Sequence, residues 1–136
     1  IANWMEHIRH DKTPFLNGDG EQRRDMIHVN DVVSANIFAM NHGGIFHGTV
    51  CDVGTGKNIS LNEVIDIVYK HFPKVEFEKR PARRGDVLLT RANTTSLKKI
   101  GWTAQISIVD GINNCFKELK KFKNGAGRST MRNIVL

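Results

Sequence analysis

Apolar positions along the chain recur at helical spacing in some stretches and alternate in others, the signature of a mixed α/β protein. Trp4, Met5 and Ile8 form a stripe that predicts a short helix over residues 2–10. Pro14, Phe15 and Leu16 read as a brief extended segment, and Met26, Ile27, His28 and Val29 as a strand. Asp31 suits the N-cap of a helix over 32–41. Its buried face would be Val33, Ile37 and Met40, and Gly43 and Gly44 would stop it. Residues 49–53 predict an apolar strand leading into the loop Gly54-Thr55-Gly56.

Ser60 and Glu63 match a capping box. The helix they open turns Leu61, Val64, Ile65, Val68 and Phe72 inward and ends at Pro73. Residues 75–78 alternate as a strand, and 79–91 read as extended. Asn93 caps a short helix that runs to Ile100 and terminates at Gly101. Ser107 caps a last helix, with Ile108, Ile112, Cys115, Leu119 and Phe122 on its inner face. Residues 124–136 lose all periodicity, so the expected division is one lobe over 1–123 and a mobile tail after it.

Composition narrows the class. A chain of 136 residues with 40% hydrophobic and 25% charged residues has the make-up of one ordinary globular domain. No apolar run approaches the roughly 20 residues of a membrane helix, and no secretory pattern opens the chain. That favours a cytoplasmic setting, where Cys51 and Cys115 would be buried, reduced thiols. A start at Ile1 without methionine suggests a fragment. The net charge of +6 raises nucleic acid as a partner. Much of the excess, however, sits in Lys117, Lys120, Lys121, Lys123, Arg128 and Arg132, a solvated helix face and a basic tail. Aromatics make up 7% of the chain and most sit at apolar-periodic positions, so no interleaved nucleic-acid platform is expected. His7 and His10 lie one turn apart with no third donor, so no metal site is expected either.

The chemistry concentrates in residues 18–31. Gly18 and Gly20 bracket Asp19 in turn chemistry, and two arginines and an aspartate follow at the mouth of the expected strand. Adjacent arginines there suit an anion at a loop edge; the plainer reading is a solvated turn with Arg24 and Asp25 as a surface pair. Neither Gly18-Asp19-Gly20 nor Gly54-Thr55-Gly56 completes a dinucleotide fingerprint, since Arg23 and Ile59 stand where the third glycine belongs.

The run Gly18-Asp19-Gly20, Gln22, Arg24-Asp25, Val29, Asp31 resembles the C-terminal motif of extended short-chain dehydrogenase/reductase enzymes, the nucleotide-sugar epimerases and dehydratases. Residues 52–61, then Arg83-Arg84-Gly85-Asp86-Val87, then Ile100-Gly101-Trp102 agree in order and spacing, so the resemblance covers about residues 1–120. It implies a small mixed α/β substrate-binding lobe, with the Rossmann half missing. By resemblance, Arg24 and Arg83 match the diphosphate-binding arginines and Asp86 the ribose-binding carboxylate. Arg84 is an extra cation that competes with Arg83 for that role.

The family's catalytic Tyr-x-x-x-Lys pair has no counterpart. Tyr69 is the one tyrosine, Pro73 stands four residues on, and its place mid-helix makes it structural. The chain alone should therefore be inactive and bind no NAD; that cofactor would belong to the missing N-terminal domain of the parent. The implied partner is a nucleotide-sugar, UDP-glucose first. A dTDP-sugar dehydratase, an ADP-heptose epimerase and a free-standing nucleotide- or RNA-binding module stand as alternatives, and a homo-oligomer stays open. Met26, Asp52, Asn93 and Ala104 depart from the pattern, and Asp52 puts a second carboxylate close to the expected site.

Overall fold

The computed structural model describes residues 1–125, so the expected tail lies mostly outside the described residues, as do Arg128 and Arg132. In chain order the elements are α1 (Ala2–Arg9), β1 (Phe15–Asn17), β2 (Arg23–Arg24), α2 (Val29–Asn41), α3 (Gly43–Phe46), β3 (Ile59–Ser60), α4 (Leu61–His71), β4 (Glu78–Arg80), α5 (Thr95–Lys99) and α6 (Ile108–Lys123). The mixed α/β class expected from the pattern is what the chain adopts. It divides into two compact units, one of Ile1–Glu21, Leu61–Asp86 and the described residues from Ile112 on, the other of Gln22–Ser60 and Val87–Gly111.

In the first unit, β1 runs parallel to β4, with Phe15 opposite Glu78, Leu16 opposite Lys79 and Asn17 opposite Arg80. The strand expected at 75–78 thus forms three residues later, because these pairs set the register. Trp4, Ile8, Leu16, Val64, Ile67, Val68, Phe116 and Leu119 make the buried core. The indole of Trp4 donates to the Phe15 carbonyl at 2.7 Å and meets the Phe77 ring edge-on, which ties α1 to β1 and to the approach of β4. Phe116 is fully buried although the helical stripe assigned to α6 omitted it, and Cys115 beside it is half-buried.

In the second unit, β2 pairs antiparallel with β3, Arg23 opposite Ser60 and Arg24 opposite Ile59. Arg23 also takes the Leu88 carbonyl (2.8 Å) and gives its own carbonyl to Thr90 (3.0 Å). The strand expected at 26–29 therefore ends earlier, and Val29 already belongs to α2. The cap of α2 is His28, whose Nδ1 accepts from the Asn30 amide at 3.2 Å. Asp31 is not the cap. It is 3% exposed and accepts from the Gln105 and Ile106 amides, each at 3.0 Å.

That staple turns the helix. Ala35 packs with Leu97 and Trp102, and the Trp102 indole donates to the Ser34 hydroxyl at 2.9 Å. The stripe expected to be buried faces out instead, with Val33 51%, Ile37 53% and Met40 82% exposed. The helix ends at Asn41 as expected, with His42 as its C-cap, and Gly43 and Gly44 open the short α3. Residues 49–53 form no strand, since no described segment pairs with them, and Val50 is 91% exposed. Cys51 is a half-buried free thiol in this extended stretch rather than a buried one in a strand.

Candidate functional site

The site is built on β2, a strand of only two residues. Arg24 is half-buried on it and donates from Nη1 to the Arg23 carbonyl at 3.0 Å. Arg23 is turned to structure, its Nε donating to Asn58 at 2.9 Å. Asp25 does not form the simple surface pair that its neighbour suggested. Oδ1 accepts from the Thr55 amide (3.1 Å) and the Thr55 hydroxyl (2.7 Å), and Oδ2 from the amides of Gly56 (2.9 Å) and Ala92 (3.1 Å). Burial pushes this carboxyl up, but the Thr55 hydroxyl and then the Ala92, Thr55 and Gly56 amides outweigh it and hold Asp25 below its ordinary value.

The Gly54-Thr55-Gly56 loop is thereby explained. A Cβ on Gly54 would lie 2.3 Å from the Ala92 Cβ and 3.0 Å from Asp25 Oδ2, so only glycine permits this approach. The loop wraps a carboxylate of the chain itself and leaves no cradle for a dinucleotide. Gly18-Asp19-Gly20 fits one no better. Asn62 donates to the Asp19 carbonyl (3.0 Å) and to Glu21 (2.7 Å), and its Oδ1 lies 2.0 Å from where a Gly20 Cβ would be. Neither glycine loop therefore fits a dinucleotide.

Arg83 and Asp86 belong to the first unit, whereas Arg24 belongs to the second. Both are exposed and share one turn, the Asp86 amide donating to the Arg83 carbonyl at 3.2 Å with Gly85 at a φ of +79°. With the Asn17 amide oriented oxygen-first, Asn17 accepts from Arg83 Nε at 3.0 Å and Nη2 at 3.2 Å, a bidentate hold on the guanidinium. Arg84, in the same turn, is exposed.

Asp52 has a plainer task than its position suggested: its Oδ2 accepts from the Asn93 amide at 3.1 Å. Tyr69 is 41% exposed on α4 with its ring edge-on to Phe77. His10 meets Glu6 at 2.9 Å, and among the described residues no cluster of three donors fits a metal. A surface cavity of about 600 Å³ in the first unit is lined by Ile8, Lys12, Phe72, Lys74 and Lys120, among others, and by none of Arg24, Arg83 and Asp86.

What sequence reasoning missed is the carboxylate at the centre. Asp25 was legible as a polar residue beside Arg24, but its partners lie 30, 31 and 67 residues away. The one signal was a loop of two glycines that no phosphate motif explained.

Comparison with known proteins agrees with these motifs. Residues 1–54 match the model of the NAD dependent epimerase/dehydratase family. The chain is 30% identical over 126 residues to a UDP-glucose 4-epimerase of Mycolicibacterium smegmatis, covering 91% of this chain and 39% of that one. It is 35% identical over 94 residues to a CDP-abequose synthase of Salmonella muenchen, covering 67% and 32%. The crystal structure of a UDP-glucose 4-epimerase from Thermotoga maritima with UDP-glucose aligns at a TM-score of 0.73 and 26% identity, over 88% of this chain and 38% of that one. The chain thus spans under two fifths of the length of each of these proteins.

Proposed function

We propose that this chain, a member of the NAD dependent epimerase/dehydratase family, is the nucleotide-sugar-binding portion of a UDP-hexose 4-epimerase-like enzyme. The observation that carries the reading is the pair of arginines at the family's motif positions. Arg24 is half-buried on a braced strand, and the Arg83 guanidinium is gripped by Asn17. A planar guanidinium held in one direction suits the oxygens of a diphosphate. In this reading Arg24 and Arg83 bind the diphosphate and Asp86 accepts from the ribose diol. Each charge-assisted hydrogen bond would contribute about 1.5–3 kcal/mol.

The chain itself carries no catalytic pair and no dinucleotide loop. NAD and the proton-transfer groups would come from the remainder of a protein of family length, in the cytoplasm. The stripe of Val29, Val33, Ile37 and Met40, all more than half exposed on α2, supports this, because an isolated domain seldom leaves such a face open. We assign that face to an NAD-binding domain in a protein of family length, since this chain spans 39% of its Mycolicibacterium smegmatis relative.

The test is calorimetry on the protein expressed from its complete reading frame. UDP should bind more tightly than uridine, and UDP-glucose should be turned over when NAD is supplied. No preference for UDP over uridine would refute the diphosphate site. Preference for CDP or dTDP would keep the site and replace the base. Turnover by the 136-residue chain alone would refute the assignment of the catalytic groups elsewhere.

A further inference from the structure

The Gly54-Thr55-Gly56 loop has the form of an anion nest, with successive amides converging on one point. The anion in it is Asp25. Four donors meet the carboxylate at 2.7–3.1 Å, two on each oxygen. A carboxylate offers about four lone-pair directions, so this one is saturated by the protein and has none left for a ligand. Its effect must pass through a neighbour.

That neighbour is Arg24. β2 is only two residues long: it pairs with β3 on one side, and Arg23 alone bonds Leu88 and Thr90 on the other, so the end at Arg24 depends on what fixes the chain beyond it. Residue 25 supplies the fixing point. Its amide donates to Thr90 Oγ1 at 3.2 Å, and its carboxylate binds Thr55, Gly56 and Ala92, two separate segments of the second unit. We infer that Asp25 is a positioning residue: by clamping the end of β2 into this nest it fixes the direction of the Arg24 guanidinium and so sets the affinity for phosphate. The inference rests on the reading of Arg24 as a diphosphate ligand.

A clamp that served only the fold would affect all ligands alike. A clamp that aims Arg24 affects the phosphates and spares the nucleoside. The decisive quantity is therefore the ratio of UDP to uridine affinity, measured by calorimetry on the protein from its complete reading frame. Asp25→Asn keeps the shape and removes the charge, and should weaken UDP about ten-fold while uridine stays within about two-fold. Thr55→Val removes one of the four donors and should weaken UDP about three-fold. Should Asp25→Asn fail to fold, Thr55→Val decides by the same ratio.

Equal ratios in wild type and the folded variants, with Arg24→Ala losing UDP, would overturn the positioning role and leave Arg24 as a ligand. If Arg24→Ala itself binds UDP like wild type, the reading of Arg24 fails and this inference with it.

Discussion

Asp31→Ala puts a number on the staple that orients α2. The carboxylate is 3% exposed and takes two backbone amides, Gln105 and Ile106, at 3.0 Å each. Removing it leaves both donors without their acceptor, at about 1–3 kcal/mol apiece. Gln105 is exposed and Ile106 half-buried, so water replaces part of the loss, and the lower half of the range applies. The total is about 2–4 kcal/mol. Urea unfolding followed by circular dichroism is the assay, because a slope of about 2 kcal/mol per molar converts that loss to a midpoint lowered by roughly 1–2 M. Asp31→Asn keeps one acceptor oxygen and should lose about half as much. Asp66→Ala, at an exposed acid on α4, is the control and should stay within about 0.5 kcal/mol of wild type. A midpoint for Asp31→Ala no lower than that of Asp66→Ala would refute the staple.

Val33→Lys and Ile37→Lys should change the stability of the 136-residue chain by no more than about 0.5 kcal/mol, whereas Val64→Ala, at a fully buried position, should cost roughly 1–3 kcal/mol in the same urea assay. Gly54→Ala should destabilise by about 1–3 kcal/mol or more, read as a lowered thermal midpoint, since the added methyl meets Ala92 at 2.3 Å. Asp25, held below its ordinary value by four hydrogen bonds, contributes stability present above that ordinary value and lost as pH falls through the lower folded one. Stability measured across that acid range should therefore fall less steeply in Asp25→Asn than in wild type. The Cys115 thiol, pushed up by burial, should react with iodoacetamide more slowly than a free thiol and accelerate only above the ordinary thiol range.

Local signals survived folding where one element could satisfy them alone. The stripe of Trp4 and Ile8, the run through Val64 and Val68, and the Ser107 cap, whose hydroxyl accepts from the Asp110 amide at 3.1 Å, were all legible in sequence. Legibility failed where the partner was remote. The turn of α2 is set by amides at 105 and 106, which overrule the apolar stripe at 33, 37 and 40. The apolar run at 49–53 has strand composition but no described neighbour to pair with, and a strand without a ladder does not form. Arg24, Arg83 and Asp86 were chosen by motif and chemical complementarity. The geometry adds Asn17 against Arg83, and next to Arg24 the four-fold hydrogen-bonded Asp25 from which its positioning role is inferred.

The central claim is that these arginines read a diphosphate. The most direct measurement is UDP affinity for wild type, Arg24→Ala and Arg83→Ala in the protein from its complete reading frame, with uridine as the reference ligand. Each substitution should weaken UDP by about ten- to a hundred-fold and leave uridine nearly unchanged. UDP binding equal to wild type in both variants, with circular dichroism showing an intact fold, would contradict the account.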